Sequence, residues 1–234
     1  MEDAARDPFT ARHWNQRDII LVVAPPVHAS STVAGVTSRL LGRTLDAAGW
    51  ARLLGVPAAA HITLAVEAHQ SHIGVEATIL HRWYTTTSTR FLYRDGQGDL
   101  VVENVYLDIR DDAPPYLATR LLAHQVRETA RLGVKYLTTA AAGRPGAYYG
   151  GYYAWARLGF DGRIPTAVGQ LLERQPHVPQ LHGARGVLDL VTRPGGAEWW
   201  RANGSEFAGL FDLALGSRSS LVLEAYTRQK GIRI

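Results

Sequence analysis

The chain contains no cysteine, which excludes a disulfide scaffold, thiolate metal sites and a cysteine nucleophile. Lysine is almost missing as well: Lys135 and Lys230 are the only two among 25 basic side chains, so nearly all the positive charge is guanidinium. No apolar run approaches the roughly 18 residues that a membrane span needs, and no membrane partner is expected. The opening segment, MEDAARDPFTARHW, lacks the apolar stretch of a secretory signal, which makes a cytoplasmic location the expectation. Neither sign of charge dominates. With 21 acidic side chains the formal charge is +4 over 234 residues, a weak footprint for a nucleic-acid partner, although arginine suits phosphate better than lysine does.

What is present is the composition of a globular protein, 46% hydrophobic and 20% charged, with no internal repeat and no low-complexity tract. The length fits one good-sized domain or a domain with an extension. Ile19 to Val23 reads as a strand that Pro25-Pro26 stops. From Ser30 to Val56 the apolar spacing predicts two helices separated by Gly42, with Asp46 capping the second. His61 to Glu67 reads as a strand. Gly74 to Arg94 and Leu100 to Ile109 read as the two arms of an antiparallel hairpin turned at Asp95-Gly96.

Pro114 and Pro115 are suited to the first turn of a helix that carries the stripe Leu117, Leu121, Leu122, Val126 and ends at Gly133. Val134 to Thr139 is the next predicted strand. Beyond Gly162 helices are predicted over 166–174, around 197–202, and over 219–230 with Ser219 as cap, and Trp199, Trp200 and Phe207 dock them. The predicted fold class is α/β of the α+β type: a mixed, mostly antiparallel sheet flanked by helices in residues 1–162, and a helical C-terminal extension in 163–234 packed on it.

The order hairpin, helix, strand, short helix, together with Leu121-Leu122, Gly133-Val134 and Trp155-Ala156-Arg157-Leu158-Gly159-Phe160, resembles the GNAT superfamily of N-acyltransferases over Val101 to Phe160. That resemblance implies a GNAT-like sheet, a small-molecule acyl donor, acyl-coenzyme A, and an amine acceptor. It places the donor's pyrophosphate at the helix start, where backbone N–H groups and the helix dipole favour an anion. The corresponding residues are Ala118, Thr119 and Arg120, with Arg110 nearby. The loop departs from the family pattern: Tyr116 stands where a glycine belongs, Pro114 and Pro115 supply no N–H, and Asp111-Asp112 add negative charge.

The resembled family often uses a tyrosine four residues before the glycine of Gly-Phe as general acid, whereas this chain has Trp155. The candidates for the acid are therefore Tyr152 and Tyr153, and Glu103 on the hairpin's second arm is the candidate base for the amine. Tyr148, Tyr149, Trp155 and Arg157 are read as substrate-binding residues, because phenols and an indole stack on planar groups and arginine binds phosphate. Gly143, Gly146, Gly150 and Gly151 act as hinges that let the tyrosines crowd together. His69 and His72 have a metal-compatible spacing if helical, but no carboxylate stands at a diagnostic position, and no metal is expected. Two functions follow: an N-acyltransferase moving an acyl or aminoacyl group from a thioester or related donor to an amine, or a non-catalytic binding module on the same scaffold that contacts a protein or nucleic acid.

Overall fold

A computed structural model describes residues 7–25, 32–69 and 71–233. The stop at Pro26 and the predicted helical start at Ser30 lie outside the described residues. The class is α/β, and contacts divide the chain into two compact units at a point other than the compositional boundary after 162. The first holds 1–136 and 227–234, the second 137–226.

In the first unit the short helix α1 (Pro8–His13) and strand β1 (Ile20–Val23) precede helices α2 (Val33–Leu41) and α3 (Ala47–Leu53). Both helices begin on side-chain caps: Thr32 Oγ1 accepts from the Gly35 amide at 3.1 Å, and Asp46 Oδ1 from the Gly49 amide at 2.7 Å. Gly42, at φ 71°, ends α2 in the left-handed conformation that glycine adopts most readily. Strands β2 (His61–His69), β3 (His72–Leu80), β4 (Ser88–Arg94) and β5 (Leu100–Tyr106) pair antiparallel in sequence order, while β1 pairs parallel with β2. Helix α4 (Leu117–Arg131) follows.

Strand pairing sorts the side chains into two faces. One face carries Ile62 and Leu64, then Val75, Ala77 and Ile79, then Ser88, Arg90 and Leu92, then Leu100, Val102 and Asn104. All of these residues are buried, and Gln125 of α4 reaches across to Asn104 at 3.1 Å. Leu117, Leu121 and Leu122 of α4 and Leu53 of α3 are buried with it. Each such leucine removed from water contributes about 1.5–3 kcal/mol. The other face carries Ala65, Glu76, Phe91 and Glu103 side by side and is only partly covered.

Four details differ from the sequence reading. The first hairpin arm is two strands, β3 and β4, broken at residues 81–87, where a bridge joins Tyr84 to Ile109. The β4–β5 turn is built on Asp95, whose Oδ1 accepts from the amides of Gln97 and Asp99, and the positive φ falls at Gly98 rather than Gly96. Pro114 and Pro115 precede α4 instead of forming its first turn; Tyr116, at φ 61°, is its N-cap residue. β5 carries a bulge: Arg90 pairs with Asn104 and Thr89 with Tyr106, so Val105 is extra.

The second unit begins within β6 (Tyr136–Ala141) and continues through α5 (Gly151–Arg157), α6 (Thr166–Glu173), a 3₁₀ turn (Pro179–Leu181), α7 (Val187–Val191), α8 (Gly196–Asn203), β7 (Phe207–Asp212) and α9 (Arg218–Gln229), whose last residues return to the first unit. β6 and β7 are neighbours. Helices α6 and α8 fall where predicted. Phe207 opens strand β7, whose residues alternate buried and exposed, and its ring meets Trp200 of α8 edge-on at 5.9 Å. Ser219 is buried and does not cap α9; Ser217 Oγ accepts the Ser220 amide at 3.2 Å. The Gly-Phe-Asp motif serves this core directly. Phe160 is fully buried, a Cβ on Gly159 (φ 100°) would lie 2.5 Å from the Ser219 carbonyl oxygen, and Asp161 Oδ1 accepts the Leu188 amide at 2.9 Å to start α7.

Candidate functional site

Glu103 lies on the partly covered face of the first unit's sheet, two residues before the bulge. Its Oε2 is 3.5 Å from His69 Nε2, and the His69 ring meets the buried Phe91 edge-on with centroids 5.4 Å apart. Only 17% of the Glu103 side chain is exposed, against 37% for His69. A carboxylate and an imidazole in this arrangement can hold and pass one proton. The spacing of His69 and His72 suits a helix, but the two face each other across the β2–β3 hairpin. Among the described residues no group of three or more His, Asp or Glu is placed to hold a metal ion.

The start of α4 does not fit a coenzyme A pyrophosphate. The Leu117 amide is taken by the Pro114 carbonyl at 3.2 Å, and the prolines before it have no N–H to offer. Arg120 is turned inward: its Nη1 lies 2.5 Å from Asp7 Oδ2 and also bonds Thr10 Oγ1, and its guanidinium covers the Phe9 ring at 5.0 Å. Burial pushes the Asp7 carboxyl up, yet the hydrogen bonds from Arg120, Thr10 and the Arg233 amide outweigh it and hold the group well below the usual carboxylate range. Arg110 is exposed and paired with Asp112 at 2.8 Å, and that bond raises its pKa. Thr119 is buried and Ala118 half-buried. Of the four residues predicted to bind the donor, both cations are therefore spent on aspartates.

In the second unit the tyrosines form two pairs. Tyr148 and Tyr149 meet edge-on at 5.0 Å on a loop closed by a Gly143–Gly150 bridge, with Tyr148 80% exposed. Gly143 is obligatory there, since at φ 108° a Cβ would fall 1.8 Å from the Tyr149 carbonyl oxygen. On α5, Tyr152 is a packing residue. Its ring is buried, its hydroxyl donates to the Arg201 carbonyl at 2.6 Å, and its own carbonyl accepts Trp200 Nε1 at 3.0 Å. Burial raises its pKa further. Trp155 packs edge-on against Phe160 at 4.9 Å.

Tyr153 differs. Half-exposed, it has the Arg157 guanidinium 5.8 Å and the Arg201 guanidinium 5.6 Å from its ring centroid, and Arg157 also lies 5.2 Å from the Tyr226 ring. Significant cation–π contacts occur about once per 70–80 residues, so three sharing residues on one face form a cluster. Neither arginine is in an ion pair with a described carboxylate.

No protein-family model matches the chain, and no curated protein matches it. Among the described residues no helix is long and apolar enough to cross a membrane. Two groups escaped the sequence reading, His69 beside Glu103 and the buried Arg90. The signal for the first was the 2-residue period of His61 to His69, which continues past Glu67 and brings His69 onto the Glu103 face; nothing in sequence distinguished Arg90 from the other arginines.

Proposed function

We propose that the protein is a GNAT-like N-acyltransferase that moves an acyl or aminoacyl group from a thioester or related donor to an amine, with Glu103 as the base. The observation that carries this reading is the half-buried Glu103–His69 pair, with Glu103 on β5, the strand before α4, and His69 at the end of β2. In the reaction the amine nitrogen forms a C–N bond to the acyl carbon, the C–S bond breaks with the thiolate leaving and taking up a proton from water, and the amine proton passes to Glu103 directly or through water. His69 steadies the carboxylate. The succession β4, β5, α4, β6, α5 supports the reading, as it is the order on which the resemblance rests. Because the α4 start does not suit a pyrophosphate, the donor is recognised by its acyl and thioester end.

The test follows thiol release from acetyl-coenzyme A and from acetyl-pantetheine in the presence of a panel of primary amines. Amine-dependent release at similar rates from both is expected, and Glu103→Gln should slow it on the order of 100-fold. Absence of amine-dependent release from either thioester would sink the reading.

The cluster of Arg157, Tyr153 and Arg201 favours a second reading, a module that binds single-stranded nucleic acid by stacking on Tyr153 and contacting phosphates. Affinity for an oligonucleotide should fall steeply with salt as counterions are released. No binding at low salt ends this alternative.

A further inference from the structure

We infer that Arg90 and Tyr84 form a receptor inside the first unit for the carboxylate of a small organic acid. Arg90 is 2% exposed, and among the described residues no Asp or Glu is paired with it. Its hydrogen bonds all leave from Nη1: to Ser88 Oγ at 2.7 Å, to the Thr89 carbonyl at 3.1 Å and to the Tyr106 carbonyl at 3.1 Å. Nε is buried with no partner. The unused edge of the guanidinium, Nε with Nη2, is one of the two edges that take a carboxylate in a bidentate fork.

Tyr84 is the second group. It is 4% exposed, and its hydroxyl is buried without a hydrogen-bond partner. Burial pushes its pKa up to about 12 against the pull of Arg90, so the phenol keeps its proton and remains a donor. Burial lowers Arg90 to about 10, which leaves it a cation at neutral pH. A buried cation with no anion beside it, next to a buried hydroxyl with no acceptor, is costly on both counts. One carboxylate satisfies both: it neutralises the guanidinium and accepts from the phenol. Thr85, Thr86 and Thr87, which follow Tyr84 in the connection between β3 and β4, are exposed. The inference uses the sheet face opposite Glu103 and does not rest on the acyltransferase reading.

The experiment records thermal unfolding and calorimetric titration of the full chain with sodium acetate and N-acetylglycine, against sodium chloride at matched ionic strength. Both carboxylates should raise the unfolding temperature of the unmodified protein by several degrees, and chloride should not. Arg90→Met, which fills the same space without the charge, should unfold no lower than the unmodified protein without carboxylate and should bind at least tenfold more weakly. Tyr84→Phe keeps the ring, should fold, and should weaken binding several-fold; if Arg90→Met does not fold, this variant decides. No response of the unmodified protein at 50 mM carboxylate would overturn the receptor. An equal response to inorganic phosphate would overturn its assignment to a carboxylate.

Discussion

Arg120 and Arg90 sit in the same unit, and both are nearly withdrawn from water, but their surroundings treat the charge in opposite ways. Arg120 has Asp7 and Thr10 against its Nη1, and the pair ties the N-terminal segment to α4. Among the described residues Arg90 has only a hydroxyl and two carbonyls. Both leave Nε buried without a hydrogen-bond partner, but the charge of the first is balanced by Asp7. The second has no carboxylate beside it among the described residues, and that is where a ligand adds something. Burial of an arginine therefore says little about its role until its counter-charge is known.

The largest effect should come from breaking the Asp7–Arg120 pair. Asp7→Ala leaves Arg120 buried without an anion and should cost on the order of 3 kcal/mol, read as a lowered urea midpoint with unchanged slope. Asp7→Ala together with Arg120→Met should recover much of that loss, because the unpaired charge is then gone.

Acid should open the same pair from outside. The folded pKa of Asp7 lies below its ordinary 3.8, so its contribution is complete above that value and is lost as pH falls further. His81 acts at a higher pH. Burial lowers it from 6.5 to about 4, with Nε2 3.3 Å from the Ala58 carbonyl and Nδ1 accepting the Trp83 amide at 3.2 Å. Protonation favours the unfolded chain, so stability should already decline as pH drops from 6.5 towards 4. Urea titrations across pH should show two declining segments, the upper one reduced in His81→Gln, with His13, also lowered by burial, supplying the rest, and the lower one absent in Asp7→Asn.

In the second unit the effects should be smaller. Tyr152→Phe removes one hydrogen bond to the Arg201 carbonyl and should cost about 1 kcal/mol in thermal unfolding. Arg157→Gln with Arg201→Gln should cost about 0.5–1 kcal/mol for each exposed cation–π contact removed, while lowering any oligonucleotide affinity and its salt slope. A large loss of stability in that double variant would place these arginines with Arg120 rather than with Arg90.

Much of the architecture was legible because it depends on local chemistry. Asp46 and Gly42 announce the ends of α3 and α2, the Leu117, Leu121, Leu122 stripe announces α4, and Asp95 announces the β4–β5 turn. Strand β7 was not legible, since six residues around a central glycine give too little pattern, and the close packing of Thr139 and Phe160 on that glycine is supplied only by the fold. The candidate site was legible in part. Glu103 stood out as a carboxylate on a strand, whereas its histidine was assigned to a helix because two histidines three apart suit a helix as well as a tight hairpin.

By itself the sequence determined what its periods and punctuation encode: helix and strand type, the caps, the absence of thiol chemistry, and a charge carried almost wholly by arginine. It did not determine what each arginine faces. Asp7 and Arg120 are 113 positions apart, and the register of β4 against β5 sets Asn104, not an acid, opposite Arg90. Such pairings are decided by which side chains the sheet and helices bring together, because the strength of a charge interaction depends on distance and burial, and neither is written along the chain.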